Sequence, residues 1–386
     1  MSLLEFDDAA NTPSSWWPAA ADPRATRQWA SAIRWQGDGV GFIGLSPAGP
    51  FAIVRRGATA GGWARMNAVD VCAGTDRGVA QPHGLLDAAR QQPGRQLVAA
   101  ANGYLTPIRS GTAAPGPDTA EWLIAEVRER AEAERASFAL LHLAADSPIV
   151  PVLAAGGFEL GITDLYARIE VTGDRPEDFV AAQSAHRRKR MDYELRAFTR
   201  RGGHREVLRG TAARSVLPVV AELEASAARA RGGAMTSAMA LEVDERIVGE
   251  FGSSAVVVLV RDGAGRAIAS AMMVHTDRAA LLRTVGFDPE AARPLGGYFQ
   301  ATVYGPLAVA QAAGLTELLL GPGALTPKLL RGARLTPLLS AAPREQARLV
   351  RLLRATDTAM RETLTALTAT HGRDVHQGAG SCSGCS

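Results

Sequence analysis

The sequence predicts an α/β chain built from two domains of one type, each a mixed central sheet flanked by helices, with an amphipathic helix near the C-terminus. Three observations carry this reading. The chain has 386 residues, which at about 150 residues per domain gives two or three domains. One succession of elements occurs twice: helix, strand, short helix, glycine turn, strand. The last periodic segment carries Leu349, Leu353, Met360, Leu364 and Leu367 on one continuous stripe.

The elements follow in order. Residues 1–25 are polar and Pro-containing and read as a flexible arm. From Trp35, the runs VGFIGL, PFAIVRR and RQLVAAANGYL read as short strands between Gly/Pro turns. A loop, Gly111 to Asp118, precedes a helix capped by Asp118 or Thr119, with Leu123, Ile124, Val127 and Ala131 on one face. Then come the strand SFALLHLAA, the short helix SPIVPVLAA, a turn at Gly156-Gly157-Phe158 and the strand DLYARIEV. A basic helix follows, EDFVAAQSAHRRKRMDYELRAFTRRGG, stopped by Gly202-Gly203. One or two Ala-rich helices lead to the strands AVVVLVRD, AIASAMMVH and ALLRTVGF, the first two joined by a hairpin turn at Asp262 to Gly265. The second copy of the block is the helix Phe299 to Gly314, the strand TELLLG, the short helix LTPKLLRGA and the strand RLTPLLSA. The final helix starts near Pro343. The domains divide as 26–172 and 173–371, the second including the basic linking helix, and 372–386 reads as a disordered tail.

Composition excludes several classes. Apolar residues make up 47% and charged residues 21%, which rules out a wholly disordered chain. The net charge of +3 excludes a polybasic protein but not a local basic face. Of 42 basic residues, lysine appears only at Lys189 and Lys328. Cys72, Cys382 and Cys385 cannot form a disulfide framework. Cys382 and Cys385 supply two of the four ligands that zinc wants, with His371 and His376 nearby. The reading assigns no metal. The longest apolar run, Ala255 to Val260, is far short of the roughly 20 residues of a membrane span. The opening MSLLEFDDAA is acidic where a signal peptide would be basic. A cytoplasmic location is expected.

The second half resembles a known group. Ser184, Arg187, Arg188, Lys189, Arg190 and Met191 form a basic helical motif. Gly286, Tyr304, Gly314-Leu315, Gly321 and the segment Lys328-Leu329-Leu330-Arg331-Gly332 follow in order. This order resembles the GNAT superfamily, and within it the Fem-type aminoacyltransferases and FemAB-like proteins, over roughly 160 residues. The resemblance implies two tandem GNAT-like domains and a transferase that makes an amide bond. It implies direct transfer from an activated donor to an amine of a cell-wall precursor, a peptide or a specialised metabolite. The donor would be aminoacyl-tRNA or an acyl thioester such as acyl-CoA, with no tightly bound cofactor. Two alternatives stand beside it: an acyl-CoA-dependent N-acetyltransferase, and a GNAT-fold binding protein without catalysis. The chain departs from the group at Gly305-Pro306 and in the apolar segment before Lys328.

The candidate site residues follow from this chemistry. A donor's phosphates need backbone N–H groups at a helix N-terminus. The candidate loop is Arg293, Gly296, Gly297 and Tyr298, where Tyr298 puts a ring in the expected path of a pyrophosphate. Lys328 and Arg331, one turn apart, could face one anion. Arg187 and Arg190 belong to a helix whose cations cover more than half its circumference, suited to a broad contact with tRNA or to simple solvation. Tyr304 could protonate a leaving group or bind substrate, and a core tyrosine would look the same. Asp288, Glu290 and His275 are the candidates for taking the amine's proton. Cys72 reads as a small buried residue. The sequence assigns no oligomeric state.

Overall fold

In the computed structural model of the protein, the described residues are 4–6, 12, 26–28, 39–44, 51–56, 71–72, 80–81, 96–99, 108–109, 117–134, 136–145, 147 and 149–371. Most of the arm read at 1–25 and all of the tail at 372–386, with Cys382, Cys385 and His376, lie outside them. The chain forms two compact units. The first draws on Met1–Ala19, Arg34–Tyr166 and Leu335–Ser386, and the second on Ala20–Ile33 and Ala167–Arg334.

In the first unit, β1 (Leu4–Phe6), β2 (Gly39–Gly44), β3 (Phe51–Arg56) and β4 (Gln96–Ala99) pair antiparallel in that order, with β5 (Ile108–Arg109) also on β3. Leu4–Phe6 is thus a paired strand within the stretch expected to be a loose arm. Helix α1 (Pro117–Ala133) then carries the chain to β6 (Ser137–Ala144), which runs parallel to β4, Gln96 opposite Ser137. Helix α2 (Ile149–Ala155) and the turn at Gly156-Gly157 lead into β7 (Phe158–Glu170). Ile124, Val127 and Ala131 of α1 and Ile149 and Leu153 of α2 pack with Phe138, Leu140 and Leu143 of β6. Ala139 and Leu141 of β6 face the other way, onto the last helix. Leu143 breaks the simple alternation because the chain bulges at His142, whose φ is +59°.

The second unit takes the last four residues of β7. Helices α3 (Pro176–Ala181) and α4 (Ala185–Arg200) precede β8 (His204–Arg209). The basic segment expected as one helix is therefore two, parted at 182–184, with Ser184 as the N-cap of α4. Helices α5 (Gly210–Arg229) and α6 (Ser237–Phe251) follow, the latter capped by Thr236, whose hydroxyl accepts the Met239 N–H at 3.2 Å. β9 (Ala255–Arg261), β10 (Ala267–His275) and β11 (Ala279–Phe287) form an antiparallel meander with β8 on its edge. After α7 (Pro289–Leu295), the crossover helix has three pieces: α8 (Gly297–Phe299), a π-helical turn (Gln300–Tyr304) and α9 (Gly305–Ala312). It delivers β12 (Glu317–Gly321) parallel to β11, and β12 pairs antiparallel with the end of β7. The helix expected as continuous from Phe299 widens because Pro306 has no N–H to donate to the turn before it. Pro306 is tolerated in the first turn of α9.

Helix α10 (Leu325–Leu329) ends in the Gly332 turn, and β13 (Arg334–Pro343) follows. β13 joins the first unit between β6 and β7, Leu338 opposite Ala144. The last helix, α11 (Ala347–His371), starts later than expected because β13 runs to Pro343. Its Leu349, Val350, Leu352 and Leu353 cover Ala139, Leu141 and Cys72. Residues 335–371 thus belong with the first unit, whereas the sequence reading gives them to the second. A strand's apolar pattern says that it is buried, not which sheet receives it. Among the described residues no helix is long and apolar enough to cross a membrane.

Candidate functional site

The second unit opens along β11. Strands β11 and β12 pair only at Ala279, Ala280 and Leu281. Beyond Leu281, β11 continues to Phe287 without β12 beside it. The departure coincides with a bulge: Met272 of β10 faces Thr284 and Met273 faces Leu282, so Arg283 is the extra residue. A bulge bends and twists its strand, and it turns both Arg283 and Thr284 toward α5 and α6, where each meets a buried carboxylate.

At the end of β11 the chain builds a helix N-terminus. Asp288 caps α7, its Oδ1 accepting the Glu290 and Ala291 N–H groups at 3.0 Å. Gly296 then turns the chain with φ +61°, a left-handed value that favours glycine. The Phe299 and Gln300 N–H groups bond back to the Gly296 carbonyl. The N–H groups of Gly297 and Tyr298 precede that first bond, so they belong to the turn with no acceptor within the helix. Arginines surround this turn. Arg293 is exposed. Arg201, just past α4, donates to the Pro294 carbonyl. The Arg231 guanidinium lies 6.0 Å from the Phe287 ring centroid, and that of Arg331 only 3.1 Å from the Phe299 centroid. The Tyr298 ring packs edge-on against Phe287 at 5.5 Å and Phe299 at 5.2 Å. Burial pushes its phenol pKa up.

One turn into the helix lies a polar cluster that the π-helical turn aims inward. Tyr304 is fully buried, and its hydroxyl donates to Glu194 Oε2 at 2.6 Å. Arg331 holds the same carboxylate with two bonds, Nε to Oε2 at 3.0 Å and Nη2 to Oε1 at 2.7 Å. Its third nitrogen, Nη1, donates to the Pro327 carbonyl at 2.7 Å. Burial first, and then the negative charge and hydrogen bond of Glu194, push the Tyr304 pKa well up, so the phenol stays protonated. Gln300 accepts from Arg205 at 3.3 Å. Burial lowers the Arg205 pKa, against the opposing pull of Glu177 and Tyr304.

Lys328 and Arg331 do not meet over one anion as the spacing suggests. Lys328 is buried and donates to the Leu320 and Gly321 carbonyls at 2.7 and 3.1 Å. It thereby satisfies the end of β12 just where β12 has left β11. Arg331 is taken up by Glu194, which gives each cation its own partner.

The other candidates separate. Asp288, Glu290, Arg293, Gly296, Gly297 and Tyr298 gather at one end of β11. His275 is at the other, opposite Ala280, with Nε2 3.1 Å from Arg209 and Nδ1 2.9 Å from the Thr276 carbonyl. Seven strand residues at about 3.3 Å each put roughly 20 Å between the two groups. Glu290 is exposed beside the loop. On α4, Arg188, Lys189, Arg196 and Arg200 are exposed, while Arg187 and Arg190 are half-buried. Burial lowers the Arg187 pKa. Cys72 is fully buried, and burial pushes its thiol up to about 12. Among the described residues no group of three His, Cys, Asp or Glu side chains is placed to hold a metal ion.

Glu194, Phe299, Arg201 and Arg231 are site residues that sequence reasoning misses. Glu194 did carry a signal, since it lies three residues after Met191 and four before Phe198, both buried. An acid on the inward stripe of a basic helix needs a partner.

No family model and no curated protein sequence matches the chain. Solved structures do. FemX superposes with a TM-score of 0.60 at 12% identity, covering 91% of this chain and 100% of that one. The C-terminal domain of a putative lysylphosphatidylglycerol synthetase from Agrobacterium fabrum gives 0.54 at 12% identity, covering 94% and 96%. L-PGS from Bacillus licheniformis gives 0.50 at 9% identity, covering 82% and 89%. At such identities the likeness concerns the fold alone, and the chain has a FemX-like fold.

Proposed function

We propose that the second unit is an N-acyltransferase or aminoacyltransferase that makes an amide bond. The observation that carries this is the coincidence at one end of β11. A strand pair opens beyond Leu281, and a helix N-terminus flanked by Arg201, Arg231 and Arg293 faces the same end. Unshared N–H groups and cations suit an anionic donor. Backbone groups of β11 released from the ladder suit the carbonyl that reacts.

In the reaction, the acceptor amine attacks the donor carbonyl, and the ester or thioester bond breaks to release the tRNA hydroxyl or the thiol. The proton that the amine gives up to solvent or a nearby base is balanced by the one that the leaving oxygen or sulfur takes up. Asp288 is committed to capping α7, and Tyr304 is sealed against Glu194. Glu290 is the exposed carboxylate beside the turn. Positioning and the cations near the developing charge supply the acceleration. The acceptor class is an amine of a cell-wall precursor, a peptide or a specialised metabolite.

Aminoacyl-tRNA is the favoured donor. The exposed cations of α4 lead to the donor turn through Arg201, bonded to Pro294. A polyanion can follow that path, whereas an acyl-CoA needs the turn alone. Among the fold's relatives, a putative lysylphosphatidylglycerol synthetase is named for an aminoacyl product. The test is binding of aminoacyl-tRNA and of acyl-CoA at several salt concentrations. The tRNA reading expects salt-sensitive binding, with Arg188→Ala and Lys189→Ala each lowering the salt slope by about 1. Salt-tolerant binding of acyl-CoA, untouched by those substitutions, would make the protein a thioester-dependent acyltransferase. Binding of neither would favour a role without catalysis.

A further inference from the structure

Behind the bulge of β11 lies a charge imbalance. Arg283 is only 7% exposed, and its Nη1 sits 3.1 Å from Asp244 of α6 and 3.8 Å from Glu224 of α5. Asp244 is 0% exposed and Glu224 5%. One guanidinium thus serves two buried carboxylates. Burial pushes the Glu224 carboxyl up as well, but Arg283, the Thr284 hydroxyl that donates to it and the charge of Arg231 offset part of that push. Among the described residues Asp244 has no donor beyond Arg283, and its Oδ2 is buried without a hydrogen-bond partner. β8 spends its own charges elsewhere, Glu206 on Arg261, Arg205 on Gln300 and Arg209 on His275, while His204 is exposed. Inside β9 and β10 the buried side chains are apolar apart from the Ser270 hydroxyl, and the charges at their ends, Arg261 and His275, are engaged by Glu206 and Arg209.

A second buried negative charge without a second cation is expensive, and the ordinary remedy is to keep a proton. We infer that Glu224, Asp244 and Arg283 form a buried latch. It keeps one carboxylic proton, on Asp244, in the folded protein at neutral pH, and it frees α5 and α6 from the bulged strand when that proton is lost. Packing makes the latch matter for β11, because α5 touches the strand at the backbone. A Cβ on Gly286 would lie 2.5 Å from the Glu224 nitrogen. The strand so held is the one that leaves β12, and the inference stands whatever the donor is.

The direction of the pH effect follows. Burial, and then the charge of Glu224, push the Asp244 carboxyl up to about 8 from the 3.8 of a free aspartate. The folded protein binds a proton that the unfolded chain releases, so this contribution is fully present below about pH 4. It is lost progressively as pH rises and is gone above about pH 8.

The experiment compares wild type, Asp244→Asn and Glu224→Gln by urea unfolding and hydrogen exchange across this range. One linked proton changes the folding equilibrium tenfold per pH unit. Asp244→Asn should therefore gain about 100-fold on wild type between about pH 5.5 and pH 7.5. Parallel curves would overturn the inference. Infrared spectroscopy of wild type alone should show a neutral carboxylic acid band at pH 7, so the test survives if Asp244→Asn fails to fold. Glu224→Gln removes the repulsion and should move that band's loss to lower pH. No such band at pH 7 would also overturn it. Amides of α5 and α6, corrected for intrinsic exchange, should lose protection above about pH 8. Unchanged protection there would overturn the latch.

Discussion

The two copies of one order of elements are filled with different chemistry. In the first, α1 and α2 pack Ile124, Val127, Ile149 and Leu153 onto Phe138 and Leu140, and α11 covers the other face of β6 with Leu349, Leu352 and Leu353. In the second, the crossover helix buries Gln300, Thr302 and Tyr304, and the residues around it bury Lys328, Arg331, Glu224 and Asp244. The parallel crossover itself needs only a helix between two strands. What the comparison teaches is that the framework is indifferent to the polarity of one stretch of its interior. A site can be built there where the buried charges find partners, as Lys328 does on carbonyls and Arg331 on Glu194.

If that contrast is real, the units should break differently. The largest effect is expected from Arg331→Ala, which leaves the largely buried Glu194 carboxylate with the Tyr304 hydroxyl but without its cation. Breaking a largely buried pair costs about 3–5 kcal/mol, read as lost hydrogen-exchange protection in α4 and α8 but not in α1. In the first unit, Leu353→Ala removes an apolar side chain and should cost about 2–5 kcal/mol, read in α11 and β6 and insensitive to salt. Tyr304→Phe removes one hydrogen bond to a charged group while Arg331 still holds Glu194. About 1.5–3 kcal/mol is expected, measured by urea unfolding, and equal effects for Tyr304→Phe and Arg331→Ala would dissolve the cluster as a unit. The smallest effect concerns pH. Glu159 of β7 bonds Arg354 at 2.7 and 3.1 Å, and that bond holds its carboxyl below the usual 4.5. Its contribution is present above about pH 4.5 and is lost as acid protonates it. Acid should loosen the first unit at α11, alkali the second at α5 and α6, and Glu159→Gln should flatten only the acid limb of a hydrogen-exchange profile.

The sequence shows the duplicated order of elements because that order depends on local periodicity and on glycine turns such as Gly156-Gly157 and Gly332. It also shows the glycine turn at Gly296-Gly297 that we propose for the donor, since that turn stands between a strand and a helix. It does not show that β13 enters the first unit, because pairing choices are not written in a strand's own pattern. Nor does it show the partner of Tyr304, which lies 110 residues away on a helix whose basic residues draw attention from Glu194. The meeting of Lys328 and Arg331 fails for a similar reason. Helical spacing predicts which side chains share a face, but the Leu320 carbonyl and the Glu194 carboxylate decide where each charge ends. The bulge at Arg283 is invisible to a period-2 reading, which assigns neighbouring residues to opposite faces.

The most direct test of the donor site is hydrogen exchange with and without the donor, read over both units. Aminoacyl-tRNA should protect the amides from Gly286 to Gln300 and the exposed face of α4, and leave β4, α1 and β6 of the first unit unchanged. Protection confined to the first unit, or none at Gly296 and Gly297 under saturating donor, would contradict the placement of the site in the second.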